Sequence, residues 1–285
     1  MKIAFASCSN IKMQKDNQPI WQEIQQKKPD LLILLGDNVY IGIRKGDFDA
    51  AQLERQYLRQ TEEKHFAKLL RKVPYLAIWD NHDFGIKAST YGADVSTEQR
   101  QQSRALFDKY LKNASQQPHT REIYCSHTIG DVKIILLDVR SYQQCPEHEG
   151  ATLLGAQQEK WLLKELCHNG RFTIICSGIT FSWGNHGWLN YPNWANQFKA
   201  AISKAPNPLF LGGGIHRNRF KAHPAHNFFE VISSSVGRND SHDQPTDNYG
   251  ILDIGKKTVT INLYGRKASN QNEKMISVPT WESLT

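Results

Sequence analysis

The amino-acid sequence predicts an α/β (α+β) protein in which two mixed β-sheets pack together and are flanked by helices. Over the first two thirds of the 285 residues, short apolar runs alternate with segments of helical periodicity. The last third contains mainly apolar runs separated by tight turns, and no internal repeat or linker interrupts the chain. Because a layered arrangement buries the apolar faces of both element types, we expect a single domain comprising residues 1–285.

Ten apolar runs bounded by turn residues are predicted β-strands. The run 31–35 contains only leucine and isoleucine, which is typical of a strand buried on both faces. Gly130-Asp131 indicates a hairpin turn, and Lys256-Lys257 indicates a tight turn between the last two strands. In order along the chain, the predicted strands are residues 3–6, 31–35, 75–79, 122–127, 133–137, 172–176, 209–211, 228–232, 250–254 and 259–263.

Segments with apolar residues at helical spacing lie between these strands. Pro19 stands at a favourable first-turn position, Ser96-Thr97 is a helix start signal, and Gly170 is a stop signal. The predicted helices are residues 19–27, 49–59, 62–72, 97–113, 155–168 and 193–204. The loops 38–48, 84–96, 140–154 and 178–192 are longer than most connections in a compact domain, and loops of such length are often functional.

The charge balance fits an anionic partner. A net charge of +7 and a pI near 9.1 suit a phosphorylated small-molecule substrate, and they would also suit nucleic acid. The basic residues are scattered through the predicted helices without interleaved aromatic residues, which favours solvated helix faces over a nucleic-acid surface. Nucleic-acid binding or cleavage is therefore the less favoured alternative, and the sequence does not determine the oligomeric state.

Features that would indicate a membrane or secreted protein are not found in the sequence. It has no run of eighteen apolar residues, and its first ten residues lack the apolar stretch and cleavage site of a secretory signal. The five cysteines are odd in number and form no Cys-x-x-Cys pair, so a disulfide framework is not expected. These features predict a cytoplasmic location.

Polar clusters directly follow four of the predicted strands, at residues 7–10, 36–40, 80–83 and 212–216. Taken singly, each cluster could be a turn or a helix cap. Ligands of open α/β sheets bind outside the carboxyl ends of the strands, so the four clusters could converge on one crevice. Together they supply a thiolate, a carboxylate, a phenolate, an amide oxygen and an imidazole, from Cys8, Asp37, Tyr40, Asn81 and His216. This combination predicts a metal site.

The order of these clusters resembles that of the calcineurin-like metallophosphoesterases: Gly36-Asp37-Asn38, then Asp80-Asn81-His82-Asp83, then a Gly-x-His segment near the end. Over roughly residues 3 to 264, the chain is similar to the alkaline phosphatase D-like branch of that superfamily. The finer matches are Cys8 after the first strand, Tyr40 three residues after Asp37, Trp79–Gly85, Leu137–Arg140, Leu154-Gly155 with Gln158 and Trp161-Leu162, and Ser177–Phe181.

The resemblance implies a four-layer α-β-β-α sandwich with a dinuclear metal centre at its edge. Cys8, Asp37, Tyr40 and His216 match the ligands of the first metal. Thiolate and phenolate donors suit Fe(III), since both are anionic and stabilise the higher charge. Asp37 would bridge to a second ion, held also by Asn81, which would be calcium or another divalent ion such as Mg, Mn or Zn.

The same resemblance implies a metal-dependent hydrolase of phosphate esters, either monoesters or diesters. A metal-bound hydroxide would attack phosphorus, His82 would protonate the leaving group, and Asp83 would orient His82. Asn38 is expected to contact the substrate. Arg140 matches a phosphate clamp, since its planar fork suits phosphate geometry, although a structural ion pair is an equal alternative. The physiological substrate does not follow from the resemblance.

One motif departs from the family. The family's usual segment is Ser-Gly-Asp-x-His. In this chain, Gly214 stands at the position where a ligand of the second metal is expected. Other residues could supply that ligand, and the unassigned candidates are His186, His223, His226, Asp240, His242 and Asp243. Alternatively, one tight metal could act with a transient divalent ion. A third alternative is a degenerate relative that binds a phosphorylated ligand without turnover, but the retained His82-Asp83 pair favours activity.

The aromatic segment 181–192 has two interpretations of equal weight. It could be a surface loop packed by its own side chains. It could also be a wall of the substrate site that stacks on an organic leaving group.

Overall fold

The apolar run Leu31–Leu35 forms a strand that is buried at every position, as its composition predicts. It can be buried on both faces because helices cover one side of its sheet and a second sheet covers the other. The computed structural model describes residues 1–41, 48–87, 89–111, 122–184, 187–237, 247–256, 258–266, 272–277 and 281–282. No helix among these residues is long and apolar enough to cross a membrane.

The strands in these ranges are β1 (Lys2–Ala6), β2 (Leu31–Leu35), β3 (Tyr75–Ile78), β4 (Cys125–Ile129), β5 (Val132–Leu136), β6 (Phe172–Ser177), β7 (Pro208–Gly212), β8 (Asn218–His223), β9 (Phe228–Ser233), β10 (Ser235–Val236), β11 (Asp247–Ile254), β12 (Thr258–Arg266), β13 (Asn272–Ser277) and β14 (Trp281–Glu282). The helices are α1 (Ile20–Gln26), α2 (Ala50–Glu62), α3 (Lys64–Lys72), α4 (Asn81–Phe84), α5 (Thr97–Leu111), α6 (Ala156–Glu165) and α7 (Pro192–Ile202). Short 3-10 helices occur at Gly92–Asp94, Trp188–Asn190 and Pro224–His226.

Both sheets are mixed. The first has the order β13-β12-β11-β1-β2-β3, with β10 added to β11 and β14 added to β12; β1, β2 and β3 run parallel to one another. The second has the order β4-β5-β6-β7-β9-β8, in which β5, β6, β7 and β9 are parallel. The carboxyl ends of the parallel strands in each sheet therefore lie along one edge of that sheet.

Three apolar clusters separate the layers. One lies between the sheets and joins residues such as Phe5 and Ile33 to Ile174 and Leu211. A second packs α1, α2, α3 and α5 onto the outer face of the first sheet, and a third packs α6 and α7 onto the outer face of the second. The predicted four-layer α-β-β-α arrangement is confirmed.

The structure contains strands that the hydrophobic pattern did not predict, namely β8, β10, β13 and β14. Strand β8 has the sequence NRFKAH, in which polar side chains alternate with less polar ones, and it lies at the edge of its sheet. Its backbone pairs with β9 along its whole length. A polar edge strand gives no apolar run, and so the pattern did not reveal it.

Close packing of β1 against β11 generates a stability prediction. Phe5 pairs with Gly250, and a Cβ at position 250 would overlap the Phe5 ring. We expect Gly250→Ala to lower the free energy of unfolding by about 1–3 kcal/mol, because the buried ring has to shift. Denaturant titration of Gly250→Ala beside Gly255→Ala measures this effect. At Gly255 the added Cβ would lie 3.3 Å from Thr258 Oγ1, so the control should change little; equal losses in both variants would contradict the packing argument.

Candidate metal centre

Three of the predicted metal ligands lie in sharp turns at strand ends. Cys8 follows β1, Asp37 follows β2 and His216 follows β7, and each has a left-handed backbone, with φ of 58°, 48° and 54°. This conformation is costly for residues other than glycine and needs support from the surrounding structure. Part of the support is a pair of hydrogen bonds between the β1 and β2 turns, Cys8 N to Gly36 O (3.2 Å) and Ser9 N to Asp37 O (2.8 Å).

The turns bring four donor groups together. One ligand atom from each of Cys8, Asp37 and His216 lies within 4.8 Å of those of the other two. The Tyr40 hydroxyl donates to Asp37 Oδ2 over 3.2 Å and lies 3.2 Å from His216 Nε2. The cluster thus combines residues from both sheets, some of them more than 200 positions apart in the sequence. The polar clusters at the strand ends converge here, as the sequence predicts.

Burial makes this cluster costly in the absence of a cation. Cys8 is fully buried, and burial together with the neighbouring Asp37 raises the pKa of its thiol to about 12. Burial also raises the pKa of Asp37, although the backbone N–H of His82 and the charge of Arg140 act in the opposite direction. A bound cation would favour the anionic form of both groups, and thiolate, phenolate, carboxylate and imidazole are all transition-metal ligands. The donor set therefore fits a metal ion.

Helix α4 places two further predicted residues beside Asp37. The backbone N–H of His82 donates to Asp37 Oδ1 over 3.0 Å, and the His82 ring lies 4.2 Å from the Tyr40 ring, centroid to centroid. Asn81 Nδ2 donates to Ile86 O over 3.2 Å. This bond sets the orientation of the amide, so that Oδ1 is the atom available as a metal ligand.

Asp83 and Asn38 form a buried hydrogen-bond network beside the centre. The Asp83 carboxylate is fully buried and accepts hydrogen bonds from Asn38 N and Nδ2 (both 3.1 Å), Asp80 N (3.0 Å) and the Tyr57 hydroxyl (3.2 Å). Asn38 Nδ2 also donates to Ile78 O over 2.9 Å. These contacts tie the loop after β2 to the loop after β3. The roles predicted for the two residues, contact of Asn38 with substrate and orientation of His82 by Asp83, stay predictions.

Arg140 is a structural ion-pair partner in this structure and is not placed as a phosphate clamp. Its side chain is 2% exposed, its Nε donates to Asp80 Oδ1, and its Nη1 donates to Gln143 Oε1 over 2.8 Å. Burial raises the pKa of Asp80 to about 6, and Arg140 acts against that rise. Because the guanidinium is buried and already engaged, it would have to break this pair to reach a substrate phosphate.

Asp80 also borders the position where the family motif departs. A Cβ built on Gly214 would lie 3.6 Å from Asp80 Oδ2 and 3.2 Å from Gly178 O. The space that a second-metal ligand would occupy at position 214 is thus next to a carboxylate that pairs with Arg140. Asp80 belongs to the polar cluster 80–83, but no signal in the sequence links it to Arg140.

Ser234 is a residue of the centre that sequence reasoning missed. Its Oγ accepts the backbone N–H groups of Ile215 (3.1 Å) and His216 (3.0 Å) and lies 3.4 Å from Cys8 Sγ. A hydroxyl has two acceptor positions and one proton, so with both acceptors in use the proton is directed to the sulfur. The available signal was the run Ser233–Ser235 directly after a predicted strand, a fifth polar cluster at a strand end.

The unassigned histidines and aspartates do not complete the second metal site in the described ranges. His223 lies 3.1 Å from Ser182 Oγ and 3.5 Å from Glu230 Oε2, and its ring stacks on Phe228 at 4.2 Å, at the far end of β8 from His216. His226 lies in the turn beyond it. The remaining candidates are outside the described residues: His186, Asp240, His242 and Asp243.

The aromatic segment 181–192 is mainly core. Phe181, Trp188 and Tyr191 are 1%, 0% and 3% exposed and belong to the cluster beneath α6 and α7. Trp183 is only partly buried and lies outside that cluster. The loop interpretation thus holds for most of the segment, and the substrate-wall interpretation remains for Trp183.

Comparisons with known proteins concern the family and the fold of the chain. The sequence model of the PhoD-like phosphatase family matches residues 3–276. A search of solved structures finds PhoD, with a TM-score of 0.77 and 16% identity over 98% of this chain and 72% of that one. It also finds a dimetal phosphatase from Danio rerio (TM-score 0.60, 10% identity, 99% of each chain) and a purple acid phosphatase from yellow lupin seeds (TM-score 0.57, 10% identity, 96% of this chain and 52% of that one). The search of curated proteins gives no match.

A first prediction from this site concerns Arg140. We expect Arg140→Ala to lower the free energy of unfolding by about 3–5 kcal/mol, because the buried Asp80 carboxylate loses its partner. Adding Asp80→Asn to the same protein should recover part of that loss. Denaturant titration of both single variants and the double variant measures the coupling. Full stability of Arg140→Ala, together with a raised KM for a phosphate ester, would instead identify a phosphate clamp.

A second prediction concerns Ser234. We expect Ser234→Ala to weaken metal binding by about 10- to 100-fold, because Cys8 and the His216 turn lose a common hydrogen-bond partner. Ser233→Ala is the matched control, since Ser233 is equally buried but donates to Asn218 Oδ1 (2.7 Å). Metal competition titration measures affinity, and the absorption of a sulfur-to-metal charge-transfer band reports on Cys8. Equal changes in both variants would show that Ser234 has no specific part in the site.

Proposed function

The chain belongs to the PhoD-like phosphatase family, and on this basis we propose that it is a metal-dependent hydrolase of phosphate esters. The observation that carries the proposal is the cluster of donors formed by buried Cys8, Asp37 and Tyr40 with half-buried His216, and with His82 at its edge. Burying this thiol and this carboxylate is costly, and binding a cation would offset the cost. The net charge of +7 suits a phosphorylated small-molecule substrate.

We propose Fe(III) for the first position, because it is the ion best matched to combined thiolate and phenolate donors. For the second position we propose calcium or another divalent ion, with Asp37 and Asn81 as ligands and water completing the shell. When bound, the centre would supply Lewis-acid stabilisation of the phosphoryl group and activation of water.

The residues of this chain would act as follows. The Tyr40 hydroxyl and the His82 backbone N–H each donate to one oxygen of Asp37, which fixes the carboxylate that would hold the metal centre. His82 lies on the first turn of α4 with its ring against Tyr40, where it can give a proton to the departing alkoxide. Asn38 and Asp83 hold the two loops in register. We propose monoesters and diesters as substrates, since nothing in this arrangement excludes either.

A non-catalytic phospholigand-binding protein is the second candidate, and Gly214 favours it. Glycine offers no side chain to a second metal, and the neighbouring Asp80 is paired with Arg140. The second ion would then have only Asp37, Asn81 and water as ligands. The His82 position beside Asp37 argues for turnover, because a purely binding site does not need a proton donor.

The cysteines support a reducing location for the protein. All five are free thiols, with Cys8 and Cys176 buried and Cys167 exposed. We propose the cytoplasm on this ground.

The proposal predicts the effects of two substitutions. Asp37→Ala should remove a shared ligand and lower both metal content and aryl phosphate hydrolysis to background. His82→Ala should keep its metal and lose about 10²- to 10⁴-fold in kcat, because the leaving group lacks its acid. Elemental analysis and steady-state kinetics measure the two effects, with His65→Ala on α3 as the control. Wild-type protein that turns over no mono- or diester with Fe, Ca, Mn, Mg or Zn would favour the binding protein.

A further inference from the structure

The edge strand β8 begins two residues after the metal ligand candidate His216 and carries a line of positive charge away from it. Arg217, Arg219 and Lys221 stand at alternate positions, and we name these three residues the basic strip. Residues two apart on a strand project from the same face and are separated by roughly 6.6 Å. Arg219 and Lys221 lie within β8 and Arg217 directly precedes it, so the basic strip begins at the turn that carries His216 and continues along the edge strand.

The basic strip is available for an anion. Asn218 and Phe220, on the opposite face of β8, point to the space between the sheets, since Asn218 Nδ2 donates to Tyr264 O and Phe220 packs on the intersheet core. Arg219 and Lys221 therefore point the other way, and Arg217 and Arg219 are partly exposed while Lys221 is exposed. None of the three forms an ion pair with a described residue; Arg217 and Arg219 contact only backbone carbonyl oxygens, at 3.2 and 3.4 Å.

Trp183 adds an aromatic surface beside the basic strip. Lys221 Nζ lies 5.8 Å from the centre of its ring. The next residue, Gly184, lies against Ile215, with its Cβ position 3.5 Å from Ile215 Cγ2, so the loop also borders the turn that carries His216. The Trp183 ring thus lies beside Lys221, and its loop reaches the turn that carries His216.

The loop that carries Trp183 is firmly held. The buried Glu230 carboxylate accepts the backbone N–H groups of Phe181 (2.6 Å) and Ser182 (3.1 Å), and Thr180 Oγ1 accepts that of Trp183 (3.2 Å). Glu230 is directly opposite Lys221 in the β8–β9 pairing, but it is fully buried beneath the loop. A fixed aromatic ring loses little entropy when a planar group stacks on it.

We propose that the basic strip and Trp183 bind a single-stranded oligonucleotide whose end phosphate lies at the metal centre. This inference rests on the proposed function and deepens it. A substrate with one phosphate has no use for several cations in a line, two of them roughly 6.6 Å apart on a strand, whereas a chain of phosphates can contact them all. Basic residues along a groove together with an aromatic ring are the common means of binding single strands, because every base has a face that can stack.

The basic strip leaves no contiguous basic run in the sequence, because its residues alternate with others. Only the strand geometry of β8 gives Arg219 and Lys221 a common face and directs Asn218 and Phe220 to the core.

The test is a binding titration with a fluorescein-labelled six-nucleotide oligothymidylate. It uses the full-length chain carrying Asp37→Asn, in which cleavage does not consume the probe. Wild-type chain with a phosphorothioate oligonucleotide, which resists cleavage, gives a second measurement that does not depend on the folding of that variant. Since neither measurement needs turnover, a failed hydrolysis assay and a failed binding assay are distinguishable.

Two changes are expected. Arg219→Gln with Lys221→Gln should reduce the slope of log affinity against log salt by about 1.4, at about 0.7 for each lost phosphate contact. Trp183→Ala should weaken binding about tenfold and leave the slope unchanged. The matched control is Lys160→Gln with Lys164→Gln, which removes the same charge from exposed positions on α6.

Two outcomes would overturn the proposal. If the β8 and α6 double variants bind alike, the basic strip is no more than a solvated surface. If Trp183→Ala binds normally and tripolyphosphate competes as well as the oligonucleotide does, the strip recognises condensed phosphate and the assignment to oligonucleotides is wrong.

Discussion

The buried carboxylate of Asp37 is the interaction on which the site depends. It is contacted from its own loop by Tyr40, from the loop after β3 by the His82 backbone, and from the loop after β1 by Cys8, whose sulfur lies 3.9 Å away. Two hydrogen bonds and a distant Arg140 offset only part of the cost of burying this charge, and the pKa of Asp37 remains raised. A cation is the partner that would balance it. The contacts from the three loops keep the Asp37 carboxylate in position.

The sandwich supplies the rigidity that this arrangement requires. Cys8, Asp37 and His216 each have a left-handed backbone, a local cost that persists only where neighbouring structure determines the conformation. Each follows a strand that is almost wholly buried, and Ser234 connects the turn after β7 to the sulfur of Cys8. Parallel strands bring their carboxyl ends to one edge, so short turns are sufficient to place the donors.

Around this centre, the second metal position is the less complete half. Gly214 has no side chain that could serve as a ligand. The neighbouring carboxylate of Asp80 belongs to a buried ion pair with Arg140. A buried pair is costly to break, because either partner alone would be an uncompensated charge. Asp80 is therefore better understood as part of the support for α4 than as a replacement ligand. Strand β8 begins directly after the turn that carries His216, so the basic strip proposed for a larger substrate starts beside the centre.

The sequence by itself determined the four-layer fold and the family, because buried strands have a visible apolar pattern and the polar clusters follow them at fixed places. Cys8, Asp37, Tyr40 and His216 were predicted for the same reason, and the structure places them together. Only the tertiary structure decided what Asn38, Asp83 and Arg140 contact, because the availability of a polar side chain depends on partners elsewhere in the chain. Arg140 meets Asp80 from 60 residues away, and Asn38 meets Asp83 from 45. Strand β8 and Ser234 were not predicted because a polar edge strand and a single hydroxyl leave no hydrophobic pattern. Strand β8 is formed by backbone pairing with β9, and the role of Ser234 depends on its contacts with His216 and the distant Cys8.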